Sequence, residues 1–178
     1  MYPFIRFAYA TWKSYRAPKI GLFETHVSHH YCMPWDIDLW LELNNGRTLT
    51  LYDLGRVPMA VRTGAAQARK ASGVGMVVAG ASVRYRKRIT MFKRFEMRSR
   101  FAGFDDKFLY FEQSMWFEDG TCANQNLVRG AVTRKGKMVP PTELLHHIDP
   151  DIATQSLPEW IQAWIDADKI RPWPPERS

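Results

Sequence analysis

The chain is short of cysteine, of long apolar runs and of acidic charge, and each shortage removes a class of protein. Its 178 residues hold two cysteines, Cys32 and Cys122. Two are too few for a disulfide framework, so both are expected as free thiols in a reducing compartment. No stretch approaches the roughly 18 to 20 consecutive apolar residues of a transmembrane helix. The opening "MYPFIRFAYATWKSYRAPK" has neither a long apolar segment nor a small-residue cleavage site, which argues against a secretory leader and makes a cytoplasmic location the expectation. "GVGMVVAG" is followed by no Gly-Lys pair and carries no dinucleotide fingerprint. Acidic residues number 18 against 25 Lys and Arg, a net charge of +7. That excess favours anionic partners: nucleic acid, a phosphorylated small molecule or an acidic membrane surface.

What is present is enough for one globular domain with a substantial core, since 46% of the residues are hydrophobic and 13% aromatic. The first 21 residues read as an aromatic, basic helix ending before Pro18. Phe4, Phe7, Ala8 and Trp12 fall at helical spacing, as for docking on the body or resting on a bilayer, docking being the plainer expectation. Residues 23–33, "FETHVSHHYCM", predict a first strand closed by Pro34. A helix then starts at Asn44 or Asn45, Asn being a favoured N-cap. Pro58 is expected to split it, with the second piece ending near "KASG".

After Gly73 four segments predict long strands: "VGMVVAGASVRYRK", "MFKRFEMRSRFAG", "KFLYFEQSMWFED" and "TCANQNLVRGAVTR". "FDDK" and "EDGT" are turn sequences, Asp119-Gly120 being a hairpin signal, so the four are expected as an antiparallel meander. Beyond Asp149, Ser156 suits an N-cap, Pro158 the first turn, and Trp160, Ile161 and Trp164 an apolar stripe. One strand, a central helix and four antiparallel strands make an α+β fold. Its parts are residues 1–21 (N-terminal helix), 22–148 (the main domain) and 149–178 (C-terminal amphipathic helix and tail).

The stretch "WDIDLWLELNNGR", residues 35–47, carries the chemistry. Two aspartates, Asp36 and Asp38, precede a helix start at Asn44, Asn45 and Gly46. A helix N-terminus presents unpaired N–H groups and a dipole that favour negative charge. A carboxylate close by can act as general base or nucleophile. The same residues also suit plain turn and cap hydrogen bonds.

This stretch, with Asp53 and Arg56 downstream, resembles the Asp-x-Asp, Gly-His-Val-Asn-Asn pattern of hotdog-fold thioesterases of the 4-hydroxybenzoyl-CoA thioesterase type. "LNNGRTLTLYDLGR", "VRYRKRI" and "GFDDKFLYFEQSMWF" are similar to the THEM6-like subgroup of that superfamily, over about residues 22–148. The resemblance implies a five-stranded antiparallel sheet wrapped around a central helix. It also implies acyl-CoA thioester hydrolysis, and a homodimer or homotetramer with edge-to-edge sheets and sites at the subunit interface. Carried over residue by residue, Asp38 matches the catalytic carboxylate and the Asn45 amide the oxyanion donor, with Asn44 positioning and Glu42 and Gly46 beside the substrate. Leu41-Glu42 stands where many relatives have Gly-His, a departure that also fits a non-catalytic acyl-CoA-binding protein near membranes. Coenzyme A enters as part of the substrate, and no separate cofactor is implied.

Alternation places Arg84, Arg86 and Arg88 on one strand face and Arg94, Arg98 and Arg100 on the next. Arg84 and Arg86 suit coenzyme A phosphates, and a solvated sheet face accounts for the pattern equally. Tyr85, Phe92 and Phe95 are expected under the sheet and no RNP-like motif is present, so nucleic acid is not the expected partner. His26 and His30 share a strand face, His29 points away, and no third ligand is near, so no metal site is expected.

Overall fold

The computed structural model describes residues 2–153 and 156–177. In chain order it contains α1 (Phe4–Arg16), β1 (His26–Tyr31), a 3-10 turn (Pro34–Asp36), α2 (Asn45–Arg62) and α3 (Ala65–Ser72). These are followed by β2 (Gly75–Tyr85), β3 (Arg94–Phe104), β4 (Phe108–Trp116), β5 (Cys122–Arg134), β6 (Lys137–Val139), α4 (Thr142–Leu145) and α5 (Glu159–Lys169). No helix among the described residues is long and apolar enough to cross a membrane.

One antiparallel sheet runs β1-β3-β4-β5-β2, with β6 added beside β5. The two predicted hairpins, β3–β4 and β4–β5, are present. The meander does not extend to β2, which crosses over and pairs with β5. Eight residues separate β2 from β3, and no tight turn there holds the two as neighbours. The sheet has six strands rather than five because Lys135 and Gly136, both at positive φ, return three residues as β6. So short a strand carries no readable alternation.

The sheet closes around α2. Leu51, Tyr52 and Leu54 pack with Phe95, Met97 and Met115, while Met59 joins Phe101, Phe111 and Val128. Each such side chain contributes about 1.5–3 kcal/mol when buried. Gly55 allows the close approach: a Cβ there would collide with Met97 Sδ and Ser99 Oγ. On the opposite sheet face Ile161 and Ile165 of α5 cover Tyr110 and Leu127.

Pro58 does not break α2, which runs through it to Arg62. An interior proline loses one helical hydrogen bond at a cost of about 3 kcal/mol, and burial of the flanking Leu54, Met59 and Val61 offsets it. The break falls at Gly64, whose φ of 84° ends the helix. At α5 the cap is Pro158, not Ser156, and the proline precedes the first turn. α1 docks through Phe7, which packs on the central core, and through the buried Ser14, leaving Phe4, Tyr9 and Trp12 exposed.

Of the three aromatics expected under the sheet only Phe95 is buried. Phe92 sits at a positive φ of 61° and is exposed, as is Tyr85. The alternation that suggested their burial ends with the strand at Tyr85.

Candidate active site

The loop before α2 is fastened at Asp36, which is fully buried. Its Oδ2 accepts from Arg6 Nη1 at 2.5 Å and from the Met33 N–H at 3.0 Å. Its Oδ1 accepts from Arg47 Nε at 2.7 Å. One carboxylate thus joins α1, the loop and the first turn of α2. The Asn44 N–H donates to the Asp36 carbonyl at 3.0 Å, and the Leu43 N–H to Ile89 at 2.8 Å.

Asp38 has a different role. Its Oδ1 accepts the Trp40 N–H at 2.9 Å, and its own N–H donates to the Glu42 carbonyl at 2.9 Å. The tight turn so formed drives Leu41 to φ 59°, a region that favours glycine. Leu41 occupies the place where the resembling family carries glycine, and here it adopts the conformation that glycine suits.

Asn44 caps α2 as predicted, accepting the Arg47 N–H on its side chain at 3.0 Å. The N–H groups of Asn45 and Gly46, in the first turn, have no intrahelical acceptor. Against this end lies a cavity of about 230 Å3 walled by Glu42, Asn45, Thr48, Asn124 and the segment Tyr85–Ile89. The Tyr85 hydroxyl donates to the Asn45 carbonyl at 3.3 Å. Glu42 Oε2 faces Arg88 Nε at 2.9 Å. Behind the wall the Tyr52 hydroxyl donates to the Asn124 side chain, and burial holds the phenol well above its ordinary pKa.

Arg86, Lys87 and Arg88 reach this cavity together because the strand ends in an irregularity. The N–H groups of Arg86 and Lys87 both donate to the Ala123 carbonyl, at 2.9 and 3.0 Å, so strict alternation stops there. Alternation had grouped Arg86 with Arg84. Arg84 instead lines a separate cavity with Trp160 and Trp164 of α5.

Among the residues singled out from sequence, Glu42, Asn45 and Arg86 therefore meet at one cavity, with Gly46 in the adjoining helical turn. Asn44 lines a neighbouring hollow with Asp36 and Arg47. Asp38 lies outside the ring around the cavity. Tyr85, Lys87 and Arg88 were not legible as site residues because only the end of β2 brings them there, nor was Asn124, which reaches the cavity through the pairing of β5 with β2. Arg94, Arg98 and Arg100 pair with Glu118, Glu96 and Glu112, as a solvated face would. Asp53 and Arg56, three residues apart on α2, form an ion pair, and Arg56 also donates to Gln113 Oε1 at 3.1 Å. The Tyr2 hydroxyl donates to Asp53 at 3.1 Å, and burial with that carboxylate pushes its pKa up to about 12. Cys32 and Cys122 are both free, and burial pushes the Cys32 thiol up to about 11.

A sheet closed around one helix is the architecture of hotdog-fold thioesterases. The pattern described as Thioesterase-like superfamily matches residues 32–165, and the chain belongs to that family. It is similar to Protein THEM6 of Xenopus laevis, 35% identical over 111 residues that make up 62% of this chain and 54% of that protein. The chain thus spans about half the length of that relative. Its fold is that of a probable thioesterase, YbaW, from Escherichia coli, with a TM-score of 0.63 at 16% identity over 69% of this chain and 98% of that one. A hypothetical protein, SAV2348 of Staphylococcus aureus, solved in complex with CoA, has a TM-score of 0.59 at 14% identity over 80% of this chain and 95% of that one.

Proposed function

We propose that this chain hydrolyses an acyl-CoA thioester at the N-terminus of α2. The observation that carries this reading is the meeting of Arg86, Lys87 and Arg88 with the first turn of α2 around one cavity. Arg86 and Lys87, beside an Arg88 that Glu42 holds, suit the phosphates of coenzyme A, and the amides of Asn45 and Gly46 suit an oxyanion. CoA bound to a protein of the same fold is consistent with it.

In the proposed reaction Asp38 takes a proton from water as the oxygen attacks the thioester carbonyl, or itself attacks to give a mixed anhydride that water then opens. The Asn45 N–H stabilises the carbonyl oxygen as it becomes negative, and Asn44 holds the helix start in place. The C–S bond breaks, the coenzyme A thiolate leaves and takes a proton, and the acid departs as its carboxylate. Glu42 and Gly46 border the substrate and Arg86 holds its phosphates. Arg84 joins only if the phosphates extend toward α5.

The site is completed in this reading by a second copy, as homodimer or homotetramer, on the open edge of β2. That strand presents exposed Val77 and Val78. Peripheral membrane contact falls to the exposed Phe4, Ile5, Tyr9 and Trp12 of α1, beside Lys13 and Arg16.

One observation favours a second reading, a non-catalytic acyl-CoA-binding protein: Asp38 is engaged by the Trp40 N–H and stands outside the cavity. Thiol release from a panel of acyl-CoAs separates the two. Hydrolysis by the wild type, lost at least a hundredfold in Asp38→Asn, supports catalysis by Asp38. Saturable binding without release supports the second reading. Undiminished release in Asp38→Asn removes that residue from the mechanism.

A further inference from the structure

A separate groove of about 470 Å3 runs between α1 and β1 and shares no wall with the α2 cavity. Its sides are largely apolar, with Ala10, Val27, Trp35, Leu54 and Pro58 among them. It extends from Arg6 to Ala17 along α1 and from Tyr31 to His26 along β1. Ten helical steps from Arg6 to Arg16 at about 1.5 Å each give about 15 Å, and five strand steps at about 3.3 Å give about 16 Å.

The two ends differ electrically. At one, Arg6 is paired with the carboxylate of Asp36. At the other, Arg62 spends its bonds on neutral groups, the Pro18 carbonyl at 2.9 Å and His26 Nδ1 at 3.0 Å. Lys13 lines the same groove. Neither cation has a carboxylate partner among the described residues, and no Asp or Glu lines the groove.

His26 also lines that end. It is 6% exposed, and burial beside Arg62 lowers its pKa to about 4, so the ring is neutral. A guanidinium can only donate, so Nδ1 accepts and the ring proton is on Nε2. That Nε2 is buried with no acceptor among the described residues.

We propose that the groove binds a free straight-chain carboxylate, its chain along the apolar walls and its head group held by Lys13 and Arg62. The volume falls in the range of small-ligand sites. Lys13 and Arg62 have no carboxylate partner among the described residues and no acidic residue lines the groove, as a ligand with an anionic head requires. This site is independent of the thioesterase reading.

Calorimetric titration of the full chain with dodecanoate tests it, against dodecanol as a neutral ligand of equal chain length. One carboxylate should bind per chain, at least tenfold tighter than the alcohol. Lys13→Glu, at an exposed position, should weaken dodecanoate tenfold or more, and Ala10→Trp should fill the groove and abolish binding. Thiol release by both variants should equal that of wild type, since neither residue borders the α2 cavity. Absence of saturable binding, equal affinity for the alcohol, or unchanged affinity in Lys13→Glu would each overturn the proposal. Failure of wild-type thiol release would leave the titration standing, so the two proposals fail separately.

Discussion

Asp36 Oδ1 accepts from Arg47 Nε at 2.7 Å, and the carboxylate has no solvent exposure. With Arg6 on its other oxygen, Asp36 is the tie between α1 and the start of α2. Asp38, two residues on, closes only a local turn. Two aspartates that look equivalent in sequence therefore divide the work, one holding the helix start and the other left near the surface beside it.

Removal of the tie should be costly. Asp36→Ala removes the buried carboxylate that the largely buried guanidinium groups of Arg6 and Arg47 share, and breaking a buried ion pair typically costs about 3–5 kcal/mol. Urea unfolding at neutral pH should show that loss, whereas Asp38→Asn, which retains an acceptor for the Trp40 N–H, should unfold close to wild type. Equal stability of Asp36→Ala and wild type would contradict the role given to Asp36.

Leu41→Gly should not show the usual penalty for glycine. A non-glycine residue in the left-handed region pays about 1–2 kcal/mol, against about 0.5–1 kcal/mol of extra chain entropy lost by glycine. The side chain is exposed, so little packing is lost. The expected result is a denaturation midpoint at or above that of wild type, and a clear drop would mean that Leu41 makes a contact worth more than its strain.

The cations at the α2 cavity should act on binding rather than on turnover. Arg86→Ala and Lys87→Ala are each expected to raise KM for an acyl-CoA about fivefold at low salt, the scale of one exposed charge interaction, with little change in kcat. The difference should shrink as ionic strength rises and screening takes over. Steady-state kinetics at two salt concentrations measure it, and an effect confined to kcat would place these residues elsewhere in the mechanism.

Stability should fall on mild acidification. His26 and His30 both have pKa values lowered from 6.5 to about 4, mainly by burial. Between those values the unfolded chain binds more protons than the folded one, so stability rises with pH. It is fully present above about pH 6.5 and lost as the pH falls through about 4, by a few kcal/mol on the order-of-magnitude scale. Urea midpoints from neutral pH to about pH 4 should trace the decline, and His30→Phe should flatten it.

The sequence alone determined the secondary elements that depend on near neighbours. Asn44 capped α2 because a cap is a local hydrogen bond. Asp105-Asp106 and Asp119-Gly120 turned their hairpins because turn geometry is set within four residues. The family was legible for the same reason, through contiguous motifs around the helix start.

Tertiary structure decided what depended on distant partners. Burial of the residues flanking Pro58 kept α2 whole where local propensity would break it. Pairing with β5 took β2 away from its sequence neighbour. The bulge against Ala123 brought Arg86, Lys87 and Arg88 to one cavity and left Arg84 at another. The buried Asp36 owes its role to Arg6, thirty residues earlier in the chain. Local rules fix where an element begins and turns, but which groups share a cavity is set by contacts whose free energy appears only when the sheet closes on the helix.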